Sequence, residues 1–509
     1  LALTFALMLV DAYRQGIWID EIWSLWMSET GVPLPQMLHQ RWLTDAHPPL
    51  FHALNWVFTP VTGLDIFLRR LLNIIPAIYT SAILLYLYNK SSSYRSFVLV
   101  FAAIVLTSRG AIWYFPEHRS YFSTLSFSAS LFGLLYAAFQ QERPRTNPDW
   151  MLEILFFVTT VIALNFHYIS TVILGSVLGA AALVQIYRRE WRWVGMIVLS
   201  TIVAFVPLVV SLLAQAKYLA ETVGGFWIQT TLAQAVKMLV ASPGHTLGDN
   251  VVAAVAVVAA LFAVARSFRQ KPPPKVLGAP VTGPNPGARW FVLTLLAGLA
   301  FAAAVLAAGS FVRPMLVPRY LIATVPLTAA MVAAMGADLI LSRRLFLVLF
   351  CVNAAALAGI YSVKPLTNSR WEPTIDYIRA QVRACPTTRV YGLDTTFFPD
   401  PKPSNEPGIQ DWGYQAMGRL HGFQVAIILT DRPAPATLSE TCPTLLWAEH
   451  VNGDTMVGYL KKTAFAQSPE MRRALAAAKT FKGGEGIVID IPPTAAAGPA
   501  TAPYQPARR

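Results

Sequence analysis

Apolar runs long enough to cross a bilayer recur along this chain, at about 71–88, 97–115, 121–139, 151–166, 168–187, 194–213, 251–268, 290–309, 320–341 and 345–363. A helix needs about 20 apolar residues to span the hydrocarbon core, and in lipid it must satisfy every backbone polar group internally. The chain opens on LALTFALMLV, half that length, and begins at Leu rather than Met. We read it as the outer half of a first span whose upstream residues precede this sequence, since neither a basic n-region nor a cleavage site marks a signal peptide. About eleven spans result, and the fold class expected is an α-helical polytopic membrane protein.

The charges support that count. Alternate connections carry the cations: Lys90 and Arg95; Arg143 and Arg145; Arg188, Arg189 and Arg192; Arg266, Arg269, Lys271 and Lys275; Arg343 and Arg344. By the positive-inside bias these loops are cytoplasmic, which places 11–70, 109–120, 214–250, 310–319 and everything after 364 on the outer side. The net charge of +13, from 40 Lys and Arg against 27 Asp and Glu, then needs no nucleic-acid partner. Only 13% of residues are charged and 55% are apolar, which excludes coiled coil and disulfide-dense scaffolds. The Pro- and Gly-rich stretch within 267–289 reads as a cytoplasmic linker. Arg109 interrupts the 97–115 run and is expected to snorkel at its outer end.

Beyond 364 the pattern changes. RVYGLD, QVAIILT, TLLWAE, TMVGYL and GIVIDI read as strands, and PTIDYIRAQVRA and PEMRRALAAAKTF as helices, so 364–490 is expected to form a small α/β domain outside the membrane. The Pro/Ala stretch 491–509 reads as a disordered tail. Cys385 and Cys442 both fall in the outer domain, where an oxidising compartment would favour a disulfide between them. Cys351 lies within an apolar run.

Residues 11–70 are too many for a connector, and long connections are usually functional. WIDEIWSLWMSE and LPQMLHQRWLT carry apolar residues at helical spacing beside charges, as interfacial helices do. The first contains the acidic pair Asp20-Glu21 between Trp18 and Trp23. DAHPPLFH follows, where His-Pro-Pro forces a rigid turn that presents His47. His47 and His52 lack a third nearby ligand of the right type for a metal. Further outer clusters are Glu117, His118, Arg119 and Tyr121; His167 and Tyr168; and Arg313, Arg319 and Tyr320. Singly, each fits interface anchoring, but they share one side of the membrane. Together, a carboxylate base and a set of cations suit transfer of a sugar from a lipid-linked phosphate: the base activates a hydroxyl and the cations hold the departing phosphate.

The order of these motifs resembles the polytopic GT-C glycosyltransferases. It runs Asp20-Glu21, His47-Pro48-Pro49, Arg70 at a span entry, Arg119-x-Tyr121, His167-Tyr168 and Pro318-Arg319-Tyr320. The nearest likeness is to bacterial relatives of protein O-mannosyltransferases and of the lipid A aminoarabinose transferase, over residues 1–363. That resemblance implies an inverting enzyme taking a sugar from a polyprenyl-phosphate donor to a lipid, polysaccharide or protein acceptor at the outer face of a bacterial cytoplasmic membrane. By it, Asp20 is the general base with Glu21 beside it. Arg119, Arg319, Tyr320 and Arg70 contact the donor phosphate, and His47, Glu117, Tyr121, His167 and Tyr168 shape the substrate cavity. No cofactor is required, although an acidic pair has the chemistry to bind a divalent metal. The competing class is a lipid or glycolipid transporter or flippase. That class predicts internal repeats and ionisable residues near the bilayer midplane, whereas the charges here fall at span ends.

Overall fold

The computed structural model describes residues 2–43, 45, 47–141, 149–222, 231–248, 286–312, 316–336, 347–348, 350–353, 355, 371–394, 409–429, 438–449, 453–484 and 486–493. The run 251–268, most of 345–363, most of the 267–289 linker, Arg313 and the tail from 494 lie outside these residues. The chain divides into two compact units, Leu1–Gln15 with Met27–Lys364, and Gly16–Trp26 with Pro365–Arg509.

The first unit is helical: α1 (Ala2–Arg14), α3 (Leu50–Thr62), α4 (Ile66–Leu71), α5 (Ile74–Lys90), α6 (Ser92–Leu106), α7 (Arg109–Tyr114), α8 (Ser120–Gln140), α9 (Trp150–Ala163), α10 (Tyr168–Tyr187), α11 (Trp191–Thr222), α12 (Leu232–Gly248), α13 (Pro286–Val312) and α14 (Thr324–Gly336), with a 3-10 turn at Pro318–Leu321. The label α2 belongs to Ile19–Trp26 in the second unit. Among the described residues six helical stretches are long and apolar enough to cross a membrane: Ile66–Lys90, Ser120–Gln140, Tyr168–Tyr187, Trp191–Gln215, Gly287–Ser310 and Pro318–Met335. Ser92–Leu106 and Trp150–Ala163 are apolar but shorter. The chain is a multi-pass membrane protein.

α8 is the central helix, with every residue from Ser120 to Phe139 buried. It is tied to α5 through Thr80, whose Oγ1 donates to the Ser126 carbonyl at 2.8 Å and accepts from Ser130 Oγ at 3.0 Å. Gly298 lets α13 close on α10, since a Cβ there would lie 2.6 Å from Val177 Cα.

Ion pairs show which helix ends share a side. Lys90 Nζ at the end of α5 meets Asp149 before α9 at 2.5 Å, and Arg192 Nε at the start of α11 meets Glu153 of α9 at 2.6 Å. Arg188, after α10, donates to the Phe139 carbonyl near the end of α8 at 3.3 Å. These ends carry the cationic loops. The opposite ends of α8, α10 and α11 carry Tyr121, His167 and Gln215. Among the described residues, Lys90, Arg188 and Arg192 thus stand at one set of helix ends and Tyr121, His167 and Gln215 toward the other.

The 97–115 run corrects one expectation. It is not a single span but α6 and α7, broken at Thr107 and Ser108. Ser108 caps α7 by accepting from Ala111 N–H at 3.1 Å, and Arg109 lies over the Trp113 ring at 5.2 Å. A serine cap followed by a cation with an aromatic partner starts a new helix more cheaply than it buries a charge in the old one. LPQMLHQRWLT forms one α-turn at Leu34–Gln36 that widens into a π-helix at Met37–Trp42, with Arg41 donating to Glu29 at 3.2 Å.

The second unit has a five-stranded sheet in the order β2-β1-β3-β5-β4. Its elements are α15 (Glu372–Ala384), β1 (Arg389–Asp394), α16 (Ile409–His421), β2 (Ala426–Leu429), β3 (Thr444–Ala448), α17 (Gly453–Leu460), α18 (Pro469–Ala477), β4 (Lys479–Gly483) and β5 (Gly486–Ile491). β1 runs parallel to β2 and β3, with Val390 opposite Leu445, while β5 is antiparallel to β3 and β4. TMVGYL is helix rather than strand: Met456 and Leu460, one turn apart, bury on one side of α17 in the core. KTFKG is a strand, β4, although its first residues read as the end of a helix. Cys385 and Cys442 form a disulfide with their Cα atoms 5.8 Å apart.

Gly16–Trp26 packs within this unit. Trp371 N–H donates to the Ile17 carbonyl at 3.3 Å, Ile17 N–H donates to Glu372 Oε1, and a Cβ on Gly413 would lie 2.9 Å from Ile22 Cγ2. Trp371, Tyr414 and Trp447 form the aromatic centre of the unit, and Glu449 Oε1 accepts from Trp447 Nε1 and Thr374 Oγ1, each at 2.5 Å.

Candidate functional site

The segment 43–49 cannot continue a helix through His47-Pro48-Pro49, and its turn is built on Asp45. Asp45 Oδ2 accepts from the His47 backbone N–H at 3.2 Å, from His47 Nδ1 at 3.1 Å and from His52 Nε2 at 2.8 Å. An aspartate accepting from the N–H two residues on makes an Asx turn. Here the same oxygen also fixes two imidazole rings. The backbone of the turn is held from elsewhere in the bundle, because Gln215 Nε2 of α11 donates to the Asp45 carbonyl and to Tyr168 Oη.

Around His47 the unit collects rings and cations from four other places in the chain. The His47 and His167 ring centroids lie 5.4 Å apart, His47 and Tyr320 6.4 Å, His167 and Tyr320 4.9 Å, and Tyr121 and His167 5.8 Å. The guanidinium groups of Arg119 and Arg319 each lie 5.8 Å from the Tyr121 ring, and that of Arg319 lies 5.9 Å from Tyr320. His118 packs beside Phe51, with ring centroids 5.7 Å apart. The 115–119 turn is pinned by Asn73 Nδ2, which donates to the carbonyls of Phe115 and Glu117 at 2.9 and 2.8 Å.

Electrostatics here favour an anion. Burial raises the Asp45 carboxyl, but its attraction to His47 and the hydrogen bonds from His47 and His52 outweigh this and hold it well below the usual carboxylate range. Burial lowers His47; Asp45 opposes, and Arg119 and His52 lower it further, so the ring is neutral near pH 7. Burial, with Arg69, Arg70, Arg119 and His52 nearby, takes His118 well below its ordinary value. Burial, His47, Arg119 and Arg319 do the same to His167. Burial is the main reason these three imidazoles favour the neutral form, and the nearby arginines add to it.

Arg319 also belongs to the wall of a cavity of about 650 Å³, between α7, α12 and the start of α14. Arg109, Trp113, Lys237, Ala241 and Val325 share that wall. The cavity is mainly apolar, with three cations on its lining, so it suits a chain of hydrocarbon that ends in an anion.

The structure thus brings together His47, Arg119, Tyr121, His167, Arg319 and Tyr320, with Tyr168 joined to the Asp45 carbonyl through Gln215. Glu117 is buried on the same turn as Arg119. Arg70 is buried among the carbonyls that end α1, donating to Ala12 and Gln15 at 3.0 and 2.5 Å. Asp20 and Glu21 stand in the first turn of α2 in the second unit, with Glu21 fully buried. Asp45 and Gln215 were not singled out in the sequence, and His52 was weighed there only with His47 as a metal pair. The Asp-x-His spacing ahead of two prolines is a signal for an Asx turn and marks Asp45; nothing local marks Gln215. Among the described residues no group of three His, Cys, Asp or Glu side chains is placed to hold a metal ion.

No protein-family model matches the chain, and no curated protein matches it. Among solved structures, it is similar to the crystal structure of ArnT from Cupriavidus metallidurans bound to undecaprenyl phosphate. The TM-score is 0.45 at 12% identity, over 98% of each chain. It is similar in the same degree to ArnT from that organism in the apo state, with a TM-score of 0.45 at 13% identity over 98% of each chain.

Proposed function

We propose that this protein is an inverting glycosyltransferase that moves a sugar from a polyprenyl-phosphate donor to a lipid, polysaccharide or protein acceptor at the outer face of a bacterial cytoplasmic membrane. The observation that carries this reading is the double position of Arg319. It stands in the wall of an apolar cavity and over the rings of Tyr121 and Tyr320, beside His167. A polyprenyl chain along the cavity would bring its phosphate to Arg319, Arg119 and His47, where charge developing on the departing phosphate is stabilised. Tyr121, His167, Tyr168 and Tyr320 offer rings and hydroxyls to a sugar. The family resemblance assigns the proton of the acceptor hydroxyl to Asp20, with Glu21 beside it. The hydroxyl oxygen forms its bond to the anomeric carbon as the bond to the phosphate oxygen breaks, and the electron pair leaves with polyprenyl phosphate. Phosphate is a competent leaving group, so a general acid is not required. By the positive-inside bias we assign the cationic ends of α5, α8, α10 and α11 to the cytoplasmic side.

The test is photocrosslinking with a polyprenyl phosphate that carries a diazirine in its first isoprene unit, on the full chain in lipid nanodiscs. Labelled peptides should contain residues 108–114, 237–242 or 317–325 and be competed by unlabelled polyprenyl phosphate. Labelling confined to other peptides would contradict the reading.

A further inference from the structure

His47 and Asp45 form an arrangement that positive charge alone does not explain. An imidazole has two nitrogens on nearly opposite edges, and a donor bond at one decides what the other presents. Asp45, 3% exposed, takes the Nδ1 side of His47. His47 Nε2 therefore turns away from the carboxylate, and among the described residues nothing hydrogen-bonds to it. The ring meets His167 and Tyr320 edge to face. Buried carboxylates are costly, and this one bonds to two imidazoles, with Arg69, Arg70 and Arg119 near His118 in the same region.

We propose that Asp45 is a positioning residue for an anion site: by holding His47 Nδ1–H, it leaves Nε2 as the atom that takes a proton when a phosphate headgroup enters. Headgroup binding is then coupled to proton uptake. This rests on the pocket being the donor headgroup site proposed above.

The charges facing His47 decide the direction. Asp45 lies on its own turn and His52 on α3. Arg119 and Glu117 come from the turn before α8, Tyr121 from α8, and His167 from the start of α10. Arg319 and Tyr320 come from the 3-10 turn before α14. Without a ligand, burial disfavours a proton on Nε2, Asp45 favours it, and Arg119 and His52 oppose it, so His47 is held below its ordinary value. A phosphodiester adds one negative charge on the Nε2 side. The imidazolium then lies between two anions, Asp45 at Nδ1 and phosphate at Nε2, and makes a charge-assisted hydrogen bond to each. The proton comes from solvent, and no covalent bond is made or broken. A neutral Nε2 would instead set a lone pair against a phosphate oxygen. Because the proton is bound more tightly in the complex than in the free protein, binding strengthens as pH falls through the His47 value of the complex. It levels off below that of the free protein.

The probe is a polyprenyl methyl phosphate diester, which has the charge of the donor headgroup and no titrating proton of its own near neutrality. It is titrated calorimetrically into the full chain in nanodiscs, at pH 6.5–8, in buffers of differing ionisation enthalpy. Wild type should take up a substantial fraction of one proton, with affinity falling by up to about tenfold per pH unit on the alkaline side. His47→Gln should bind with no uptake, Asp45→Asn should lose most of it, and Asp45→Glu should retain it. Weaker binding by Asp45→Asn with the wild-type proton count would reduce Asp45 to a turn-former and overturn the proposal. Wild-type binding without proton uptake would overturn it too, while leaving the headgroup site in place. Failure of the wild type to bind the diester at any pH would remove the headgroup reading itself. Should Asp45→Asn not fold, nitrogen NMR of histidine-labelled wild type decides. His47, assigned by its loss in His47→Gln, should carry its proton on Nδ1 when empty and on both nitrogens with the diester. An empty-state proton on Nε2 would refute the assignment.

Discussion

The rings of His167 and Tyr320 lie with their centroids 4.9 Å apart, which joins the start of α10 to the turn that carries Arg319. Ser170 reinforces the junction, its hydroxyl donating to the Tyr320 carbonyl at 3.5 Å and its N–H to His167 Nδ1 at 3.4 Å. Arg319 is thereby presented on a braced turn. A hydrogen bond to a charged group contributes about 1.5–3 kcal/mol. Arg319→Ala is expected to weaken the affinity for a polyprenyl-phosphate sugar by roughly 10- to 100-fold. Equilibrium binding with labelled donor checks this, and an unchanged dissociation constant would remove Arg319 from the headgroup contacts.

Asp20→Asn keeps the size of the side chain and removes its basicity. General-base catalysis typically contributes about 10²–10⁴-fold. Transfer should fall in that range while donor binding stays within a few-fold of wild type. Wild-type turnover in the variant would exclude Asp20 as the base.

The disulfide between Cys385 and Cys442 closes a loop with a sequence separation of 57, tying the end of α15 to the residues that lead into β3. Removing a cross-link over a loop of that size typically costs about 2–4 kcal/mol. Cys385→Ser with Cys442→Ser should lower the unfolding midpoint of the second unit, followed by its tryptophan emission. Non-reducing peptide mass spectrometry of the wild type should recover the linked pair, and two free thiols would contradict the pairing.

Tyr377 Oη of α15 donates to Asp490 Oδ2 of β5 at 2.6 Å. Burial raises the Asp490 carboxyl above its ordinary value, against the opposing effects of the Tyr377 hydroxyl and Lys479. A raised folded value means that the fold prefers the protonated acid. This contribution is fully present below the unfolded carboxylate value, near pH 4, and is lost as pH rises through the folded one. Asp490→Asn still accepts from Tyr377 and does not ionise. Its stability relative to wild type should therefore grow between about pH 4 and pH 6. Parallel unfolding curves across that range would show that Asp490 carries no such cost.

Much of the architecture was legible because hydrophobic length and cation placement act locally. Lys90, Arg188 and Arg192 mark one set of helix ends, and Tyr121, His167 and Tyr320 the other. The break at Ser108 was less so, since both halves of 97–115 are apolar and only a cap separates them. TMVGYL reads as a strand because short apolar runs carry too few residues to separate a period of 2 from one of 3.6. In the site, the types of His47, Arg119, His167, Arg319 and Tyr320 could be read from the chain. The role of Asp45 could not, because it depends on His52 and on Gln215, which lies 170 residues away. The packing of Gly16–Trp26 with the C-terminal unit likewise rests on contacts with Trp371 and Gly413 that no local pattern announces.

The most direct measurement is a density map of the full chain in nanodiscs with the polyprenyl phosphate diester bound. The account predicts an elongated ligand along the cavity lined by Trp113, Ala241 and Val325, with its phosphate within hydrogen-bonding reach of Arg319 and of His47 Nε2. A headgroup placed at the opposite helix ends, near Lys90 and Arg192, or a cavity that stays empty at saturating ligand, would contradict it.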